Sequence, residues 1–326
     1  VYKRQDVSRR DATLVMTNMG LKVLAKAHFE MNEKATPDYV MKKIAKTYQK
    51  MLKDTNIGKE RVLAVGVGTV GPLDRNKGII LNPLNFPATG WENIPVKDLL
   101  TKALNKRVIV DNGANTALYS ELYAENLHDS KIAYFNLGQG IRSSFYSGAN
   151  ILRATENLED AFAHMTVSIK GRECQCGNKG CLECYSTIGA IETIYDEMVS
   201  KKADRETKAN MKKTGEKADF AEIVRAFNRG EKEAVKVIRK AGEYFGTGLA
   251  NFINILGPGQ VIVAGPIVRE CPKFYDIAIE VTRKKQITKS QSVIFTNEPS
   301  FGKDAIAVGA AMMCVRQMLR ETREVM

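Results

Sequence analysis

Three cysteines and one histidine lie close together in the middle of this sequence. His164, Cys174, Cys176 and Cys181 fall within eighteen residues, although the whole chain holds only six cysteines and three histidines. Three thiolates and an imidazole form a closed tetrahedral zinc site of the structural kind, with no position left open for water. The alternative is a set of free or disulfide-bonded cysteines, but a disulfide between residues two apart is strained. The spacing therefore predicts one structural Zn²⁺ per chain.

The loop that carries these cysteines is short and rich in glycine. Gly177 and Gly180 lie between Cys176 and Cys181, and glycine permits the sharp backbone turns that bring thiolates to one point. Cys174 and Cys176 are separated by one residue, which is tighter than the usual zinc-finger spacing. This arrangement favours a structural loop over a DNA-reading finger.

The elements that must position this loop alternate along the chain. Apolar alternation and β-branched runs predict strands at residues 1–8, 12–17, 22–29, 62–70, 107–111, 132–137, 143–147, 261–265 and 293–295. Helical spacing predicts helices at residues 36–55, 97–104, 116–126, 184–200, 220–227, 231–256 and 304–323. Strands and helices that alternate in two sets indicate an α/β fold with two layered lobes, which suits a chain of 326 residues.

Composition and charge narrow the class of protein. No apolar run approaches the roughly 20 residues of a membrane span, and no charged-then-apolar leader is present. Clustered thiols suit a reducing compartment, so we expect a cytoplasmic protein without membrane contact. The net charge of +12 fits contact with nucleic acid or another polyanion, and it fits equally a solvated basic surface, because the lysines are spread along the chain.

The chain resembles the ROK family (repressors, open reading frames and sugar kinases) over nearly all of its length. The most specific match is the cysteine loop, where the family pattern of His followed by Cys-x-Cys-Gly-x-x-Gly-Cys-x-Glu is complete from His164 to Glu183. Further matches lie at residues 68–74, 246–258, 265 and 309–311.

The resemblance implies an α/β fold of the actin-like and hexokinase-like ATPase type, with two lobes around a cleft. Residues 1–115 would form the smaller lobe, completed by a C-terminal helix at 304–326. Residues 116–303 would form the larger lobe, which holds the zinc loop and a homodimer interface. The zinc ligands implied by the resemblance are His164, Cys174, Cys176 and Cys181.

The kinase members of the family depend on features that this sequence has lost. A glycine-rich phosphate loop is expected after the first strand, because small residues let backbone N–H groups approach the phosphates, but residues 6–11 contain no glycine. A second glycine run corresponds to residues 138–144, where three glycine positions carry side chains. In the Asn-Asp-Ala-Asn motif, Gly113 replaces the aspartate that takes the proton from the sugar hydroxyl. Asp111 ends the preceding strand and is expected to point elsewhere, so no catalytic residue is assigned.

The sugar-binding residues are only partly retained. The family's Gly-Glu-x-Gly-His segment reads Asp-Ala-Phe-Ala-His at residues 160–164, so Ala161 replaces the glutamate that grips the sugar. The residues that remain of a vestigial sugar site are Asn112, His164 and Glu183. The alternative role of Glu183 is to cap the helix in which it lies. Each charge-assisted hydrogen bond contributes roughly 1.5–3 kcal/mol, so the loss of two weakens binding by about two to four decades. A sugar inducer is therefore not favoured.

A retained fold without catalysis is typical of the regulator branch of the family, most like the xylose repressors. Such regulators carry a DNA-binding winged helix-turn-helix, which we expect ahead of Val1. The sequence is thus interpreted as the effector and dimerisation part of a transcriptional regulator. The alternative is an anti-repressor of the methicillin-resistance type, which acts on another repressor protein without a sugar inducer. An active sugar kinase is the least favoured interpretation.

The remaining residues of chemical interest are assigned to the surface or the core. His28 and His128 are predicted at the surface, and Cys271 and Cys314 as small core residues. Trp91 is predicted to pack in the interior rather than line the cleft.

Overall fold

The structure is a computed structural model that describes residues 2–7, 11–83, 86, 88–124, 130–148, 150–153, 161–202, 218–287 and 293–325. The chain divides into two compact units. The first contains Val1–Tyr134, Ser144–Asp160 and Pro299–Met326, and the second contains Phe135–Ser143 and Ala161–Glu298.

Strands and helices alternate, which confirms the predicted α/β character. The strands of the described residues are β1 (Tyr2–Val7), β2 (Asp11–Thr17), β3 (Val23–Glu30), β4 (Ala64–Thr69), β5 (Leu73–Asp74), β6 (Ile79–Ile80), β7 (Val108–Asn112), β8 (Ile132–Leu137), β9 (Ile141–Ser147), β10 (Asn150–Ile151), β11 (Gln260–Ala264) and β12 (Ile294–Thr296). The α-helices are α1 (Pro37–Asp54), α2 (Val96–Leu104), α3 (Gly113–Ala124), α4 (Glu183–Ser186), α5 (Ile188–Lys202), α6 (Phe220–Asn228), α7 (Lys232–Leu256), α8 (Pro266–Glu270), α9 (Pro272–Lys285) and α10 (Ala305–Val325). Two five-stranded sheets have the orders β3-β2-β1-β4-β7 and β10-β9-β8-β11-β12.

Valine and glycine alternate along β4, and each type occupies one face of the first sheet. Val65 and Val67 join the core that includes residues of α1 and α2. On the other face, a Cβ at Gly66 would lie 1.9 Å from the carbonyl oxygen of Ala310 in α10. Gly68 has no room either, because a Cβ there would meet side chains within 2.6 Å. The glycines therefore allow α10 to pack directly on the strand.

Helices α3 and α10 are in backbone contact within the first unit. A Cβ at Gly309 of α10 would come within 1.5 Å of the carbonyl oxygen of Thr116 in α3. The boundary predicted between residues 115 and 116 falls inside α3, because that helix packs on α10 as one continuous element. The first unit accordingly extends to Tyr134 and includes Pro299–Met326.

An aromatic cluster forms part of the core of the second unit. Phe135 of β8 and Phe162 have ring centroids 4.7 Å apart. Phe252 of α7 meets both rings edge-on, at 5.1 and 5.6 Å, and Phe245, two turns earlier, meets Phe135 at 6.0 Å. Edge-to-face pairs of this kind are a favoured aromatic geometry, and they fix α7 against β8.

The predicted and the observed helices differ in three places along the chain. The helix predicted from Thr116 begins at Gly113, because Asn112 caps it. The helix predicted at 184–200 is two helices, α4 and α5, separated by the extended residue Thr187. Helices α8 and α9 were not predicted, although both begin with a proline in the first turn.

Four side chains of chemical interest lie in the core or at the surface as the sequence predicts. Trp91 is buried and its Nε1 donates a hydrogen bond to the carbonyl oxygen of Ala35 at 2.8 Å, as expected for a packing role. Cys271 and Cys314 are buried, and His28 is exposed. His128 lies outside the described residues. None of the helices in the described ranges combines the length and apolar character of a membrane span.

Candidate functional site

Backbone hydrogen bonds fold the cysteine loop back on itself. Val167 donates its N–H to the carbonyl oxygen of Gly180 at 2.9 Å, and Cys174 donates to that of Asn178 at 2.8 Å. Gly180 has a φ of 75°, and a Cβ there would lie 1.7 Å from the carbonyl oxygen of Ser168. Only glycine suits such a position, so the predicted turn is present.

Both ends of the loop are fixed to the core of the second unit. Phe162 lies two residues before His164 in a 3₁₀ turn and is a member of the aromatic cluster. Leu182 follows Cys181 directly and is fully buried. A Cβ at Gly248 of α7 would lie 2.9 Å from the side chain of Leu182, so the glycine makes room for it. The first and last members of the cluster are thus positioned by packing.

The structure brings the four predicted metal ligands together. The ligand atoms of His164, Cys174, Cys176 and Cys181 all lie within 4.8 Å of one another. The Sγ of Cys174 is 3.6 Å from Nδ1 of His164, and the Sγ atoms of Cys176 and Cys181 are 3.7 Å apart. With Zn–S of about 2.3 Å and Zn–N of about 2.05 Å, a tetrahedral site separates two sulfurs by about 3.8 Å and sulfur from nitrogen by about 3.6 Å. The donor set and its spacing therefore fit a tetrahedral metal ion.

The imidazole of His164 has a different neighbour on each nitrogen. Nδ1 faces the thiol of Cys174, and Nε2 lies 3.8 Å from a carboxylate oxygen of Glu183. A carboxylate beside the second nitrogen of a ligand histidine orients the ring and raises its basicity as a ligand. Two of the three residues predicted for the sugar site, His164 and Glu183, are therefore adjacent.

The cysteines of the loop experience different environments. Burial, followed by hydrogen bonds with Cys176 and Cys174, raises the pKa of the Cys181 thiol to about 12. A backbone hydrogen bond at Asn178 is the largest influence on Cys176 and lowers its pKa. Thiolates, not thiols, are the ligands of zinc, so a metal ion entering this loop displaces protons.

The base position of the family motif lies at the junction of β7 and α3. Asn112 is the last residue of β7, and its side-chain oxygen accepts a hydrogen bond from the N–H of Ala114 at 2.8 Å. This is a helix N-cap. Gly113 is the first residue of α3 and carries no side chain. Asn112, the third predicted sugar-site residue, belongs to the first unit.

The carboxylate next to the base position is held by an arginine. Asp111 is 2% exposed, and Arg153 donates two hydrogen bonds to it, Nη1 to Oδ1 at 2.8 Å and Nη2 to Oδ2 at 2.6 Å. The N–H of Asn112 and the Nδ2 of Asn115 also donate to Oδ1, at 2.7 and 3.0 Å. The carboxylate is thus fixed by charge-assisted bonds of the strong, bidentate kind.

The second glycine run forms the turn between β8 and β9. The N–H of Gly138 donates to the carbonyl oxygen of Gly140 at 3.0 Å, and the side chains that follow are those of Ile141, Arg142 and Ser143. Ile141 and Ser143 are buried. Residues 8–10 of the first phosphate loop and Asp160 lie outside the described residues.

Comparison with known proteins identifies the family. The model of the ROK family matches residues 6–317. The chain belongs to the ROK family.

Curated ROK relatives include both kinases and regulators. A glucokinase from Thermotoga maritima is 30% identical over 207 residues, which is 63% of this chain and 64% of the relative. A xylose repressor from Caldicellulosiruptor bescii is 23% identical over 311 residues, which is 94% of this chain and 76% of the repressor. The chain thus spans less than two thirds of that glucokinase and about three quarters of that repressor.

Solved ROK structures confirm the fold. The ROK hexokinase from Thermus thermophilus has a TM-score of 0.77 at 23% identity, with 97% of this chain and 99% of that chain covered. A ROK family transcriptional regulator, a homologue of the Escherichia coli MLC protein, has a TM-score of 0.75 at 19% identity, with coverage of 97% and 78%. The chain therefore has the fold shared by ROK sugar kinases and ROK regulators.

The sequence indicated the His/Cys cluster of this ROK chain but gave no indication of Arg153. Its partner Asp111 lies 42 residues earlier, and no local pattern links the two. The one available signal was the position of Asp111 at the end of a buried strand, because a carboxylate there requires a partner.

Replacement of Arg153 tests this ion pair. Arg153→Ala leaves the carboxylate of Asp111 buried without its counter-charge, so we expect a loss of about 3 kcal/mol in the free energy of unfolding. We choose the lower end of the destabilisation that follows when a buried ion pair is broken, because the side chain of Arg153 is 25% exposed. Urea denaturation measures the loss, and the double variant Arg153→Ala with Asp111→Asn should recover part of it. An Arg153→Ala protein as stable as the wild type would contradict the assignment.

Proposed function

We propose that this chain is the effector and dimerisation part of a ROK transcriptional regulator that has lost phosphoryl transfer. The observation that carries the proposal is the base position. Gly113 offers no side chain, and the adjacent carboxylate of Asp111 is committed to Arg153. A sugar kinase needs a carboxylate within hydrogen-bond reach of the attacking hydroxyl.

The turn between β8 and β9 supports the same conclusion. A phosphate is held by backbone N–H groups that small residues leave accessible. Side chains at Arg142, Ser143 and Ser144 occupy positions where the kinases of the family have glycine. A nucleotide therefore loses the close backbone approach that would position its phosphates.

The regulator relatives support a role in transcription. The similarity to a xylose repressor extends over 94% of this chain, and that repressor is longer than the matched region. In our proposal the chain forms a homodimer through the larger lobe, and a winged helix-turn-helix encoded ahead of it contacts the DNA. The basic net charge of +12 is compatible with contact with a polyanion, as it is with a solvated basic surface.

One observation favours a second candidate function. Ala161 stands at the position of the family's sugar-binding glutamate and is exposed in its 3₁₀ turn. A chain without that acceptor binds sugar weakly, which suits an anti-repressor that acts on another repressor protein and responds to no sugar. Micromolar binding of a sugar by the wild-type chain excludes this alternative. A helix-turn-helix encoded ahead of the chain favours the regulator.

In this proposal the cysteine cluster holds one structural zinc ion per chain. His164, Cys174, Cys176 and Cys181 supply the four ligands, and the closed set leaves no position for catalysis. The ion would connect the 3₁₀ turn that ends at His164 with the residues just before α4. Zinc binding to small peptides releases about 10–16 kcal/mol, so the ion stabilises the second unit without any sugar.

Restoring the sugar acceptor tests the degenerate site. Ala161→Glu supplies a charged acceptor at an exposed position, and a charge-assisted hydrogen bond of roughly 1.5–3 kcal/mol corresponds to a gain of roughly tenfold to hundredfold in affinity. Calorimetry against hexoses, pentoses and phosphorylated sugars measures it. Ala161→Gln is the matched control and should gain less, because its amide is neutral. If neither variant binds any sugar more tightly than the wild type, residue 161 does not face a sugar site.

Removal of one ligand tests the metal. Cys176→Ser takes away one thiolate of the cluster, so we expect loss of bound zinc and a lower melting temperature of the second unit. Elemental analysis and calorimetry measure the two effects. Cys184→Ser is the control, since this neighbouring thiol lies outside the four-ligand group and its replacement should leave the zinc content unchanged. A wild-type protein without zinc, together with an unchanged melting temperature in Cys176→Ser, would remove the basis for a structural metal.

A further inference from the structure

A fourth cysteine lies beside the three cysteines proposed as zinc ligands. Cys184 follows Cys181 by three residues, is half-buried and forms no disulfide. Its Sγ lies 3.5 Å from the carbonyl oxygen of Glu173, which belongs to the peptide bond just before Cys174. Burial and, after it, interaction with the side chain of Cys174 raise the pKa of the Cys184 thiol, so the two thiols are neighbours. One of the four ligands therefore has a free thiol as its neighbour.

We propose that Cys174 and Cys184 form a disulfide when the protein meets a peroxide, and that this bond releases the zinc. The inference rests on the zinc site proposed above. Cys174 is the shared member, because its sulfur also lies 3.6 Å from Nδ1 of His164. A sulfur atom in a disulfide carries no negative charge, so the cluster is left with three ligands, and zinc affinity falls.

The reaction balances in two steps. The thiolate of Cys174 attacks one oxygen of hydrogen peroxide, the O–O bond breaks, and the products are a sulfenic acid at Cys174 and hydroxide. The thiol of Cys184 then attacks the sulfenic sulfur, the S–O bond breaks, and water leaves as the S–S bond forms. Overall, one thiolate and one thiol lose two electrons, and one peroxide is reduced to one hydroxide and one water.

The alternative disulfide within the cluster is less favourable. The Sγ atoms of Cys176 and Cys181 are 3.7 Å apart, but both are ligands, so their bond would require two ligands to leave the metal. Cys174 and Cys176 are two residues apart, and a bond between them is strained. A disulfide between Cys174 and Cys184 removes only one ligand from the metal.

The test treats the zinc-loaded chain with hydrogen peroxide. Zinc release is followed with a chromophoric chelator, and the disulfide is located by mass spectrometry after alkylation of the remaining thiols. We expect stoichiometric loss of zinc together with a Cys174–Cys184 bond. Dithiothreitol and added zinc should restore the metal, because a disulfide is reducible.

Cys184→Ala separates this proposal from general oxidation. Without the second thiol, the sulfenic acid at Cys174 proceeds to sulfinic acid, which dithiothreitol does not reduce, so we expect zinc loss without recovery. Cys271→Ala, at a buried thiol, should behave like the wild type. Full recovery in Cys184→Ala, or a wild-type disulfide at Cys176–Cys181, overturns the proposal. Zinc in the untreated protein is measured first, so a failure of the metal site itself is recognised separately.

Discussion

The first unit depends on the neutralisation of one buried carboxylate. Asp111 is 2% exposed, and an ionised carboxylate taken out of water costs several kcal/mol unless it is paired and hydrogen-bonded. Arg153 supplies the charge, and Asn112 and Asn115 supply further donors. These bonds connect the end of β7, the first turn of α3 and the residues after β10. The carboxylate of Asp111 lies at the junction where the family motif places the catalytic base. In this chain it has a structural role, because Arg153 binds it.

The second unit shows how small residues position a polar loop. Glycines of α7 make room for their neighbours in different directions, since Gly246 lies against α9 and Gly248 against Leu182. Leu182 stands between the last cysteine of the cluster and Glu183. The glycine pattern of the family in this helix therefore has a packing cause. It holds the end of the cysteine loop, and with it the carboxylate that faces His164.

Local sequence patterns predicted much of this fold, but they did not predict contacts between residues that are far apart in the sequence. Thr36 and Pro37 mark the start of α1 because capping and the first turn depend on adjacent residues. The cysteine cluster was predictable because its ligands are close in sequence and chemically distinctive. Arg153 was not, because its pairing with Asp111 is set by how β9 and β10 fold back. Helix α9 was missed although it begins with proline and places Phe274 and Ala278 one turn apart, so its signal was present and local.

We infer that this ROK chain does not transfer phosphoryl groups. The most direct measurement is ATP-dependent phosphorylation of a panel of hexoses and pentoses, followed by mass spectrometry of the sugars, with a ROK glucokinase assayed in parallel. With Gly113 at the base position, we expect no sugar phosphate above the protein-free background. Sugar phosphate that forms in proportion to the concentration of this protein would contradict it.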